Sequence, residues 1–132
     1  MEDQETTRLL TKDATMNVTK IVDHEQSEVV MEGASLVRMR MLIGPREGAG
    51  VFHMRHFEVA PGGHSPHHTH DYEHEVLILK GSGLVKGAEG ERPCKAGDVV
   101  WMPPNEKHQF VCAGQEPLEF ICLIPAPEDC TR

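Results

Sequence analysis

Residues 61–81 read PGGHSPHHTHDYEHEVLILKG, and this stretch decides the fold. It opens on the turn formers Pro61-Gly62-Gly63, closes on Gly81, and carries between them a short apolar run, EVLILK, whose length and flanks predict a strand. Outward from it the same pattern recurs. Runs at residues 35–43 (SLVRMRMLI), 51–59 (VFHMRHFEV), 83–87 (GLVKG), 98–102 (DVVWM), 108–112 (HQFVC) and 118–124 (LEFICLI) are short and apolar or alternating. Gly44-Pro45, Gly81-Ser82-Gly83, Gly87 to Gly90, Ala96-Gly97-Asp98, Pro103-Pro104-Asn105 and Ala113-Gly114 punctuate them. Strands at such regular spacing, with no helical stretch between them to carry a parallel crossover, predict an all-β sandwich or barrel. That domain runs over residues 34–127. Residues 1–33 are polar and acidic and are expected to form a flexible leader whose one candidate strand is 20–23, and residues 128–132 a C-terminal tail.

The 132 residues are 39% hydrophobic and 26% charged, enough for one core and one domain. The net charge of −8 falls largely on the first 32 residues, which hold eight acidic and three basic side chains. A chain without a basic face gains no counterion-release term, which excludes nucleic acid as a partner and weakens an anionic-membrane reading. A small-molecule partner is expected instead. The N-terminal stretch has no apolar signal region and no 18-residue apolar run occurs, so a cytoplasmic location is expected. Cys94, Cys112, Cys122 and Cys130 form no CxxC pair and read as reduced thiols. The unbroken apolar run Val76-Leu77-Ile78-Leu79 asks for cover on both faces of its strand. A second subunit is the expected cover, hence a homodimer, with the leader folding over the sheet as the alternative.

Nine histidines are present, five of them between His64 and His74. In an extended chain residues two apart face the same way, so His68 and His70 project together while His67 and Thr69 face oppositely. His74 shares their parity once the chain bends at Asp71-Tyr72. His108, at the head of HQFVC, pairs from an antiparallel neighbour. Convergent neutral imidazoles in an apolar interior point to a metal ion. His24, His53, His56, His64 and His67 read as surface or hydrogen-bonded core residues.

These residues resemble the cupin superfamily. Its first motif is matched by Gly62, His68, His70 and Gly81; its second by Gly97, Pro103, Asn105 in place of a glycine, and His108. Where the family usually has a glutamate this chain has His74, and the neighbouring Glu75 is expected to face away. The chain is therefore similar to the small four-histidine, manganese-binding monocupins, with which it shares MLIG (41–44), PGG (61–63), HxHxxxHE (68–75), PNExH (104–108) and CLIP (122–125). The resemblance implies a double-stranded β-helix, or jelly-roll, barrel, a homodimer and one divalent metal per chain. Mn2+ is favoured, with Fe2+, Cu2+, Ni2+ or Zn2+ as alternatives, held by His68, His70, His74 and His108.

Four neutral ligands leave the ion's positive charge uncompensated, which favours an anionic substrate. Octahedral coordination would leave two positions for a chelating substrate, or for substrate with dioxygen; a tetrahedral zinc site would be closed and structural. Strand parity nominates Phe110, Cys112, Phe120 and Cys122 as pocket walls, and Arg55 either as the anchor for a substrate carboxylate or as a surface arginine. Glu58 and Glu73 read as solvated charges, so no general base is evident. Cys122, if near a redox metal, would be open to oxidation. The expected function is a mononuclear dioxygenase-like oxidoreductase acting on a small oxygenated or alkene-bearing molecule. The alternatives are a non-redox isomerase or lyase, and a non-catalytic ligand- or metal-binding protein.

Overall fold

The structure, a computed structural model, describes residues 15–127. The expectations for residues 1–14 and for the tail at 128–132 lie outside the described residues. Nine strands follow in order: β1 (Gln26–Glu28), β2 (Ser35–Ile43), β3 (Phe52–His64), β4 (His74–Lys80), β5 (Ser82–Gly87), β6 (Gly90–Lys95), β7 (Val99–Met102), β8 (Gln109–Cys112) and β9 (Leu118–Pro125). Every pairing is antiparallel. The spatial order β6-β5-β8-β3-β9-β4-β7, with β2 and then β1 added beside β3, is one sheet curled on itself as a jelly-roll half-barrel.

Parity builds the interior. Along β4, His74, Val76 and Ile78 are buried while Glu75 and Leu77 are exposed. Along β9, Leu118, Phe120, Cys122 and Ile124 are buried. The registers Val76↔Cys122, Ile78↔Phe120 and Val59↔Leu118 set these side chains on one face, which closes into a largely aliphatic core.

Two sequence expectations change. Residues 20–23 do not form a strand: Ile21–Asp23 is a 3₁₀ turn, closed by the bond from the Asp23 N–H to the Lys20 carbonyl, and the strand comes later as β1. β1 pairs with the edge of β2, so the described part of the leader docks at a sheet edge rather than over β4. Among the described residues nothing covers the outer face of β4, where Leu77 is 43% exposed beside Val99 and Trp101 of β7, 78% and 59% exposed. Among the described residues, no helix is long and apolar enough to cross a membrane.

Candidate metal centre

Beyond β3, residues 65–70 run antiparallel to residues 105–110 and prolong the sheet. The Ser65 N–H donates to the Phe110 carbonyl at 2.9 Å, and His68 and His108 exchange backbone bonds of 3.3 and 3.1 Å. Residues opposed in this way point their side chains to the same face, so the bridge brings the two halves of the site together. The turn before His108 places Asn105 in the left-handed region, φ +68°, and directs its N–H onto the His70 carbonyl at 2.7 Å. Asparagine tolerates that conformation, which is why it can stand where the family pattern has glycine.

His68, His70 and His108 each offer a ring nitrogen, all within 4.8 Å of one another. The Nε2 atoms of His68 and His70 lie 3.0 Å apart. His74 falls outside this tightest group, but its ring centroid is 4.7 Å from that of His108 and 5.1 Å from that of His70. Tyr72 stacks on His70 with centroids 4.8 Å apart.

Burial and mutual repulsion hold His68, His70 and His74 neutral. Desolvation, then the charges of His68, His108 and Arg55, push His70 down to about 4. Desolvation, then His108 and Arg55, push His74 down to about 3. His68 is lowered by desolvation and by His108. The donor set therefore suits a metal: those three rings keep lone pairs at neutral pH, and His74 Nε2 is buried with no hydrogen-bond partner. His108 donates from Nδ1 to the Glu106 carbonyl at 2.9 Å, which leaves its Nε2 as the free donor atom toward an ion.

Arg55 faces the interior, opposite Cys122, rather than lying at a surface edge. Its Nη2 donates to Cys122 Sγ at 3.3 Å, its guanidinium lies 4.9 Å from the Phe57 ring centre, and its Nε is buried and unpartnered. Among the described residues it has no carboxylate partner. Cys122 also lies 3.3 Å from His74 Nδ1, and burial raises its thiol pKa despite Arg55. Phe120 stacks between Phe110 at 4.6 Å and Phe57 at 5.3 Å, building an aromatic floor. Cys112 is not brought to the histidines: its thiol donates to the Glu116 carbonyl at 3.2 Å, because β8 carries it beyond Phe110 toward the far turn. Tyr72 and Phe57 escape the sequence reading. Phe57 has Arg55's parity and was open to the same argument, whereas Tyr72 sits in an irregular bend where parity says nothing.

The other histidines have other partners. His53 bonds the Ala49 carbonyl at 3.1 Å, His56 pairs with Glu119 at 3.1 Å on the opposite face, and His24 meets Thr19 Oγ1 at 2.7 Å. His64 lies 3.3 Å from the Gln109 amide, and His67 is exposed. Glu58 accepts from Gln26 at 3.0 Å, away from the cluster, and Glu73 is half-buried at the bend before β4.

The curled sheet is a jelly-roll barrel whose inward histidines could hold a metal ion, and residues 55–124 match the cupin domain. The chain belongs to the cupin family. It is similar to 1-methylthio-D-xylulose 5-phosphate methylsulfurylase of Rhodospirillum rubrum, 38% identical over 76 residues, 58% of this chain and 49% of that one. The chain spans about half the length or less of the first curated relatives it matches, 49% and 39% of them. Among solved structures it resembles the polyketide cyclase RemF from Streptomyces resistomycificus, with a TM-score of 0.81, 29% identity, and coverage of 86% and 81% of the two chains. A predicted oxalate decarboxylase from Thermotoga maritima superposes with a TM-score of 0.75 at 26% identity, covering 83% of this chain and 98% of that one.

Proposed function

We propose that the protein is a mononuclear metal-dependent cupin enzyme of the four-histidine, manganese-binding kind: a dioxygenase-like oxidoreductase acting on a small, oxygenated or alkene-bearing anionic molecule. The observation that carries this reading is the convergence of His68, His70 and His108 within 4.8 Å, with no carboxylate among them and the unpartnered Nε2 of His74 beside them. A divalent ion there, Mn2+ first and Fe2+, Cu2+, Ni2+ or Zn2+ as alternatives, supplies Lewis acidity and, for a redox metal, electron transfer.

The chain's own residues do the rest. Neutral imidazoles add no negative charge, so the interior stays electropositive and selects an anion. Arg55 offers guanidinium N–H groups, including the unpartnered Nε, to a carboxylate or enolate oxygen. Phe57, Phe110 and Phe120 pack the floor and exclude water from the bound molecule.

The test is dioxygen uptake by manganese- or iron-loaded protein given small 2-hydroxy acids, enediols and aryl alkenes, with zinc-loaded protein as control. Uptake tied to substrate loss, absent with zinc, is the expected result. Substrate loss without uptake, equal with zinc, would replace the reading by a second one, a non-redox isomerase or lyase. The names of the relatives, a methylsulfurylase, a cyclase and a decarboxylase, favour that second reading. Binding without turnover would leave a metal- or ligand-binding protein. We also propose a cytoplasmic homodimer joined through the exposed Leu77, Val99 and Trp101 face, an apolar strip that a second copy would cover.

A further inference from the structure

We propose that Cys122 is a positioning residue: its sulfur holds the Nδ1–H of His74 and so turns the Nε2 lone pair toward His70 and His108, making His74 a metal ligand. This rests on the metal-centre reading above and assigns a task to a thiol that the proposed function leaves unused.

The sheet sets the geometry. Cys122 lies on β9 between its register partners Arg55 on β3 and Val76 on β4, and His74 stands two residues before Val76 on the same face. The sulfur is thus flanked by two nitrogen groups, Arg55 Nη2 and His74 Nδ1, each 3.3 Å away. Arg55 can only donate, so the sulfur already acts as an acceptor. Two arrangements remain for His74. If the thiol donates to Nδ1, the ring proton sits on Nε2, which becomes a buried donor without a partner and cannot bind metal. If Nδ1–H donates to the sulfur, Nε2 carries a lone pair and its want of a partner is met by an ion.

The second arrangement is the one this site uses elsewhere. His108 donates from Nδ1 to the Glu106 carbonyl and keeps Nε2 free. A metal-binding imidazole is held through its other nitrogen in this way, and loss of the holding group costs about 10- to 100-fold in metal affinity. For His108 the holder is a backbone carbonyl, which no substitution of a single side chain removes. For His74 it is Cys122, 3% exposed, whose other polar neighbours are Arg55 Nη2 at 3.3 Å and the Leu123 carbonyl at 4.0 Å.

Two measurements test the assignment. In zinc-loaded protein with ¹⁵N-labelled histidine, long-range proton–nitrogen correlation should show His74 protonated at Nδ1 and metal-bound at Nε2. A proton on Nε2, or ligation through Nδ1, would overturn the proposal with no variant required. In chelator competition, Cys122→Val should lose about 10- to 100-fold in zinc affinity and Cys122→Ser should recover most of it. Adding Cys122→Val to His74→Ala should cost nothing further. A folded Cys122→Val protein with unchanged zinc affinity, or a full additional loss in the double variant, would refute the role. If the unsubstituted protein retains no zinc, manganese or iron, the metal-centre reading itself falls; retention with an indifferent Cys122 removes only this inference.

Discussion

Replacing Gly81 with alanine, beside the same change at Gly97, separates two reasons for a motif glycine. Both residues lie in the left-handed region, φ +81° and +95°. A side chain there costs about 1–2 kcal/mol, of which the lower entropy of the unfolded chain returns about 0.4–1. For Gly97 that is the whole effect, because a Cβ would meet nothing within 4 Å, so the net loss is about 1 kcal/mol. At Gly81 the Cβ would stand 2.2 Å from the Pro117 carbonyl oxygen and 3.0 Å from Leu118 Cα, both backbone. An oxygen that close must retreat by about 1 Å to reach ordinary C···O separation, and Leu118 behind it is 0% exposed against Val59. Overpacking of this kind adds about 1–3 kcal/mol, giving about 2–4 kcal/mol in all. Urea unfolding of the metal-free proteins measures both. β4 separates Gly81 from His74 by seven residues, roughly 20 Å of strand, so the folded Gly81→Ala protein should still bind metal. Equal losses at Gly81 and Gly97 would show that the backbone approach is not what the glycine serves.

His70→Ala should strip metal from the dialysed protein, weakening binding by about two decades, a quarter-share of a typical structural-metal free energy, while His67→Ala leaves occupancy unchanged; elemental analysis reads both, and equal occupancy would undo the strand-parity argument. The metal-free protein should lose stability on acidification: His70 and His74 titrate near 4 and 3 when folded but near 6.5 unfolded, so the unfolded chain takes up protons first and stability, full above about 6.5, drains as pH falls toward 3. Urea midpoints at pH 7.5 and 5.5 check this, and an unchanged midpoint would contradict it. Arg55→Met should keep the metal but weaken binding of anionic chelators about 10- to 100-fold, the worth of a charge-assisted hydrogen bond, as titration calorimetry would show; a loss of metal instead would make Arg55 structural. Trp101→Glu should yield monomers in sedimentation, and an unshifted dimer would move the interface elsewhere.

What could be read in the sequence follows the reach of strand periodicity. His68 and His70 were legible because an i, i+2 pair in extended chain needs no tertiary information, and Asn105 and His108 because the second motif fixes their order. His74 was legible in parity only: its ring comes within 5.1 Å of His70 because residues 71–73 bend, and no local pattern specifies that bend or the Tyr72 ring stacked against it. β6 was missed because GERPCK buries one side chain, Cys94, and includes Pro93; an edge strand held by its hairpin to β5 leaves almost no apolar trace. β1 is three polar residues paired to one edge and leaves none. The run at residues 76–79 was legible only in part. Uniform apolarity marks two faces that avoid water, but it cannot say which layer covers the second, and among the described residues none covers Leu77.

The electrostatics of the interior tie these residues to one another. Four imidazoles in so small a volume would ordinarily share protons near neutrality, and a protonated ring binds no cation. Burial opposes that protonation, and Arg55, which also depresses His70 and His74, opposes it again. The guanidinium thus has a consequence of its own, since it helps keep His70 and His74 as lone-pair donors although it would repel an ion they held. With a metal bound as proposed, an ion among neutral ligands beside an arginine that has no carboxylate partner among the described residues would leave net positive charge in a partly buried space, and an anion would offset it. Cys122 as a neutral thiol does not relieve it, and burial raises its pKa. On the proposed metal-centre reading this excess of positive charge, relieved among the described residues only by Asp71 near His70, favours an anionic ligand to which Arg55 could donate.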